Sequence, residues 1–134
     1  MTLVDTNVLI DVLSNNPVWR SWSLDRLEAR SASGRMLINE VVYAELSLGF
    51  DSEEELDMAM LDLNVVLVWS PKSALFLAGQ AFQRYRLAGG PRLGVLPDMF
   101  IGAHAQVARL PILTRDVRRY RTYFPDVELI SPRA

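Results

Sequence analysis

Residues 2–13 read Thr2-Leu3-Val4-Asp5-Thr6-Asn7-Val8-Leu9-Ile10-Asp11-Val12-Leu13. Thr2-Leu3-Val4 is a β-prone run. After it, Val8, Leu9, Val12 and Leu13 recur at helical spacing. A strand that runs straight into a helix opens a βα unit, with Asp5 at the junction. The same punctuation continues outward. Asn15-Asn16-Pro17 stops the first helix, and Pro17 suits the first turn of a second one, which ends near Ser33-Gly34. Met36-Leu37-Ile38 is a short buried-type strand. Asn39 can cap a helix carrying Val41, Val42, Leu46 and Leu48, with Gly49 as its stop. Ser52 and Glu55 have capping-box spacing ahead of a helix to about Leu63. Val65-Val66-Leu67-Val68 reads as the clearest strand, and Ser70-Pro71 as the cap of a helix through Tyr85. Gly89-Gly90-Pro91 ends that helix, and Pro97-Asp98 starts the next. Pro111–Thr114 is a strand, Asp116 caps a short helix through Tyr120, and Val127–Ile130 is a last strand.

About five strands, most separated by helices, predict an α/β fold. Its strands are parallel, its crossovers right-handed and its sheet covered by helices on both faces. Ligands in such sheets bind outside the carboxyl ends of the strands, so the chemistry is expected where strands hand over to helices.

The chain has 134 residues, half of them hydrophobic and 22% charged. That is a globular composition with no excess pointing to disorder, and residues 1–134 read as a single domain. No apolar run approaches the roughly 20 residues a bilayer requires, and Asp5 and Asp11 interrupt the N-terminal apolar stretch where a secretory signal would lie. There is no cysteine and one histidine, His104. Thiolate zinc sites, iron–sulfur clusters, disulfides, cysteine nucleophiles and multi-histidine sites are therefore excluded, and a cytoplasmic location is expected. Charge is unevenly spread: residues 1–83 carry five basic and twelve acidic residues, residues 84–134 nine basic and four acidic. A chain of net charge −2 can thus still present a basic face.

Four acidic residues have strand-end addresses: Asp5 after the first strand, Glu45 in the helix after the second, Asp98 after the Gly/Pro-rich loop, and Asp116 after Ile112-Leu113. For Asp98 and Asp116, helix capping is a competing role; for Glu45, a solvated helix face. Taken together, four carboxylates at one sheet edge repel one another, so the site either takes up protons or binds cations. Hard divalent ions such as Mg²⁺ and Mn²⁺ prefer oxygen ligands, and they activate water for attack on phosphate.

Asp5-Thr6-Asn7-Val8-Leu9-Ile10-Asp11 resembles the opening motif of the PIN-domain nucleases. Asn39–Leu46 resembles their second motif with Glu45, Pro97–Ala105 their third with Asp98, and Leu113-Thr114-Arg115-Asp116 their fourth. Within the family, the chain most resembles the VapC-type toxins of type II toxin–antitoxin pairs. The resemblance spans residues 2–130. It implies a PIN-like α/β/α sandwich with a central five-stranded, mainly parallel sheet, and Asp5, Glu45, Asp98 and Asp116 as catalytic residues and ligands of Mg²⁺ (or Mn²⁺). It implies endonucleolytic cleavage of RNA by metal-activated water, a cognate antitoxin and a homodimer. Thr114 matches a position that supports the acidic cluster by hydrogen bonding, and Thr6 and Asn7 stand beside the first Asp. Gly102 and His104 depart from the family's usual residues. His104, six residues after Asp98, projects about 120° away from it on a helix and reads as structural.

Arg92, Arg115, Arg118, Arg119 and Arg121 are candidates for contact with RNA phosphates, which position a substrate without reading its sequence. Tyr120, Tyr123 and Phe124 lie among them and either stack on bases or anchor a short amphipathic helix, the reading we favour for this spacing. Trp19 and Trp22, one helical turn apart, read as structural, with an apolar groove for a partner helix as the other option. A catalytically inactive PIN-like module that only binds a partner is the alternative function. A phospho-accepting signalling domain is disfavoured, because it needs a Lys after its last strand and Lys72 is the only one.

Overall fold

A computed structural model describes residues 1–91 and 95–132. Its elements run β1 (Thr2–Val4), α1 (Thr6–Leu13), α2 (Arg20–Ser33), β2 (Met36–Ile38), α3 (Glu40–Ser47), α4 (Glu53–Asp62), β3 (Val65–Leu67), α5 (Lys72–Leu87), α6 (Leu96–Ala108), β4 (Ile112–Leu113), α7 (Arg118–Tyr123) and β5 (Leu129–Ile130). The five strands form one sheet in the order β3-β2-β1-β4-β5, and every pairing is parallel. This is the expected α/β/α sandwich, with a sheet parallel throughout.

The strands are only two or three residues long, and the central ones are apolar on both faces. Leu3, Val4, Ile38, Ile112 and Leu113 are fully buried, as expected of a parallel sheet with helices on both sides. The strand order reverses direction at β1: β2 lies on one side and β4, more than a hundred residues later, on the other. Asp5 N donates to Leu113 O at 2.9 Å, which carries the β1–β4 ladder to the foot of the first functional residue. A crevice of this kind, at a topological switch point, is where open α/β sheets place their ligands.

Several local expectations need correction. The strand read at Val65–Val68 ends at Leu67 and lies at the sheet edge, with Val66 and Leu67 exposed. Pro17 lies before α2 rather than in its first turn. The start is set by Asn16, whose Oδ1 accepts from Val18 N and Trp19 N at 2.9 Å each, an Asx-type turn. Ser70 does not cap α5; its N and Oγ both donate to Glu40 Oε1, at 2.9 and 3.0 Å. The last helix runs on to Tyr123. The caps at Asn39, accepting from Val41 N and Val42 N, and at Ser52, accepting from Glu55 N, are as read.

Candidate active site

Asp5 follows β1 immediately and occupies the residue before α1. Such a carboxylate ordinarily caps its helix, but this one makes no capping bond and is instead held from the far side of the sheet switch. Its Oδ2 accepts from Thr114 Oγ1 at 2.8 Å, from Tyr120 Oη at 2.8 Å and, more distantly, from Asn7 Nδ2 at 3.4 Å. Asp5 is 5% exposed. Burial pushes its pKa up, against the opposing pull of the Tyr120 and Thr114 hydrogen bonds. Burial and the neighbouring carboxylates likewise push the Tyr120 phenol well above 10, so it stays a donor.

Residues beside Asp5 tie the other loops to it. Asn7 Nδ2 donates to Thr114 Oγ1 at 3.3 Å, and Asn7 Oδ1 accepts from Arg115 N at 3.3 Å. Thr114 Oγ1 also accepts from Asp116 N at 3.1 Å. Thr6 Oγ1 donates to Glu45 Oε1 at 2.6 Å, which fixes the α3 carboxylate against the start of α1. Thr6, Asn7 and Thr114 thus hydrogen-bond to Asp5, to Glu45 or to the turn that carries Asp116.

Asp98 lies in the first turn of α6 and is half-buried. It makes no capping bond, so the helix-cap role does not apply to it. Burial, then the charges of Asp5 and Asp116, push its pKa up to about 7, with Arg119 pulling the other way and Glu45 adding to the rise. The four carboxylates are therefore linked through Asp98, which Asp5, Asp116 and Glu45 each raise, and Glu45 also raises Asp5. They share a field rather than a coordination sphere: among the described residues, no three acidic or histidine side chains stand together as a ready metal cage. One cause is visible at Asp116. Its carboxylate is taken by Arg118, Nε to Oδ1 at 3.0 Å and Nη2 to Oδ2 at 2.7 Å, and that pairing, the largest influence on it, holds Asp116 below the usual carboxylate range. Asp116 Oδ1 also accepts from Arg118 N at 3.2 Å, which braces the chain entering α7 without making Asp116 the capping residue.

The candidate arginines separate sharply. Arg115 is locked inward, its guanidinium gripping the fully buried Asp11 through Nε to Oδ2 at 2.8 Å and Nη2 to Oδ1 at 2.9 Å. It lies over the Trp19 ring, and Ser23 Oγ supplies a third donor to Asp11 at 2.8 Å. Its task is structural, and Asp11 was missed as its partner; a carboxylate inside an apolar helical run was the available signal. Arg118 is exposed but tied to Asp116. Arg119 packs over Tyr85 with its Nε buried and without a hydrogen-bond partner among the described residues. Arg121 is exposed on α7, and Arg92 lies outside the described residues.

Tyr120 and Phe124 are each 1% exposed, so neither offers a face to a base, and the helix-anchor reading fits both. Phe124 lies directly on Gly102 of α6: a Cβ there would come within 2.3 Å of its ring, which explains the glycine. His104, on the same helix, is buried beside Asn39 Nδ2 (3.3 Å) and Ser70 Oγ (3.4 Å). Desolvation lowers its pKa. It joins α6 to the ends of β2 and β3. Trp19 and Trp22 meet edge to face at 6.2 Å and are partly buried. An apolar groove lies instead beside Glu45, lined by Ile10, Leu13, Leu46, Leu48 and Phe50.

The PIN-domain family profile matches residues 2–125. The chain belongs to the PIN-domain family. PIN domains are generally nucleases. Among solved structures, this PIN domain is similar to a chain of VapBC2 from Rickettsia felis bound to a promoter DNA fragment (18% identity, 97% of each chain covered, TM-score 0.71). It is also similar to a chain of DNA-bound VapBC from Salmonella typhimurium (21%, 98% of each, 0.70), and to one of FitAcB from Neisseria gonorrhoeae (23%, 98% of each, 0.63). At these identities the likeness is one of fold. No curated protein matches the sequence. No helix among the described residues is long and apolar enough to cross a membrane.

Proposed function

We propose that this PIN domain is the VapC-type toxin of a toxin–antitoxin pair and an endoribonuclease that depends on Mg²⁺ or Mn²⁺. The observation that carries the reading is the convergence of Asp5, Asp116 and Glu45 on Asp98 at the β1–β4 switch, where burial first and these charges next push Asp98 up to about 7. Such a set is relieved by protons or by a cation, and its all-oxygen donors fit a hard divalent ion. Asp5, Glu45, Asp98 and Asp116 would hold the metal, the last by giving up Arg118. When bound, the metal supplies charge neutralisation at phosphate and an activated water.

The chain's own residues prepare the site. Thr6 fixes Glu45, and Thr114 and Asn7 fix Asp5 and the turn into Asp116. Arg119 makes no ion pair among the described residues and acts on Asp98 and Asp116, so it is the arginine best placed to receive an RNA phosphate. Arg118 joins it once it leaves Asp116. The neighbouring structures include a toxin–antitoxin complex from Klebsiella pneumoniae, which supports an antitoxin as partner. The groove beside Glu45 suits its apolar helix. A homodimer and a cytoplasmic location complete the reading.

The test is induced expression of wild type beside Asp5→Asn, with growth followed and RNA 5′ ends sequenced. Growth arrest with discrete new ends, lost in the variant and on chelation in vitro, is expected. Metal-independent cleavage that survives in Asp5→Asn would overturn the site. No cleavage by the purified wild type of total RNA, with Mn²⁺ present, would leave the inactive partner-binding module as the better account.

A further inference from the structure

The metal-site reading does not require Tyr120, yet its phenol reaches Asp5 across 115 residues of sequence. The ring is 1% exposed, so the contact is dry and the donor has no water to compete with. The helix that carries it is keyed at two further points. One turn on, Phe124 seats on Gly102 of α6, the helix of Asp98. One residue earlier, Arg119 lies over Tyr85 of α5. The position of the phenol is thus set by the packing of α7 on α5 and α6, and α7 cannot shift without moving the donor. Two short O–H donors, from Tyr120 and Thr114, converge on Asp5 Oδ2. A carboxylate held through one oxygen by two fixed donors cannot rotate about its Cβ–Cγ bond without breaking both.

We propose that Tyr120 is a positioning residue: its phenol commits Oδ2 of Asp5 to the protein and sets the carboxylate plane on which the affinity of Asp5 for a metal would depend. The inference rests on the metal-site reading above. Hydrogen-bond partners of a ligating carboxylate characteristically alter metal affinity by about 10- to 100-fold when removed. Tyr120→Phe keeps the ring and its packing and deletes only the donor.

The experiment is calorimetric titration of the full chain with Mn²⁺ alone, for wild type, Tyr120→Phe and Tyr120→4-aminophenylalanine, with melting temperatures in EDTA alongside. The expected result is a Kd for Mn²⁺ weakened at least about tenfold in the Phe variant and substantially restored by the amino group, which again places a donor at the para position. Unchanged affinity in a folded Phe variant would overturn the proposal. So would a Phe variant that fails to fold, because the phenol's task would then be stability. Absence of Mn²⁺ binding by the wild type would refute the metal-site reading itself, and this inference with it.

Discussion

Replacing Asp98 by Asn removes one of four like charges and keeps the side chain's size. Its pKa stands at about 7 in the fold against 3.8 for an ordinary Asp carboxyl, and each tenfold change in proton affinity is worth roughly 1.4 kcal/mol. A raised carboxylate favours the fold only while it is protonated. Its contribution is fully present below about pH 4 and is lost as pH rises through 7, so ionising Asp98 costs the native state up to about 4 kcal/mol by pH 8. About 1 kcal/mol of that is already incurred at pH 4.5, which leaves a difference of about 3 between the two conditions. Asp98 retains some contact with water, which screens the repulsion and halves the figure at the low end. In urea unfolding with EDTA present, Asp98→Asn should therefore gain between about 1.5 and 3 kcal/mol over wild type on going from pH 4.5 to pH 8, with the denaturant slope unchanged. A difference between the two proteins that does not vary with pH would refute the claim that burial and the neighbouring carboxylates disfavour an ionised Asp98.

The same repulsion means that millimolar Mn²⁺ should raise the melting temperature of wild type at pH 8 and should do so much less for Asp98→Asn; equal shifts would argue against Asp98 as a ligand. Arg115→Ala leaves Asp11 buried with Ser23 as a donor but without its charge partner and should cost about 3 kcal/mol in chemical denaturation, with Asp11→Ala in the same chain recovering part of it. Gly102→Ala drives a methyl into the Phe124 ring and should destabilise by about 1 to 3 kcal/mol, a loss that Phe124→Leu in the same chain should lessen. In a nuclease assay with Mn²⁺, Arg119→Ala should weaken RNA binding and flatten its dependence on salt, whereas an unchanged salt slope would remove Arg119 from the substrate path.

Much of this was legible in the residues. The Thr2–Asp11 stretch yields β1, α1 and the address of Asp5 because a β-prone run followed at once by 3.6-residue spacing has few other solutions. Asn39 and Ser52 cap as their chemistry suggests. What eluded the sequence is a matter of partners. The run Val65–Val68 carries no mark of which strand lies beside it, so its place at the sheet edge was hidden. Arg115, Arg118 and Arg119 look alike in a string, and only the fold hands Asp11 to the first, Asp116 to the second and the Tyr85 ring to the third. Tyr120 and Phe124 share the i, i+4 signature of an anchored helix, which says nothing about where a phenol oxygen ends. Ser70 precedes a proline at a helix start, yet Glu40, thirty residues away, takes both its donors.

The strand order has a bearing on how the protein comes into being. Asp5 is synthesised well before the groups that orient it, because Thr114 and Tyr120 follow it by more than a hundred residues. Until those residues emerge, β1 lacks its β4 neighbour and the carboxylate lacks its fixed donors. On the proposed function, growing chains and prematurely terminated fragments that stop short of Tyr120 are therefore inert, and every incomplete copy lacks nuclease activity. The distance along the chain between a residue and its support acts as a safety interval in time.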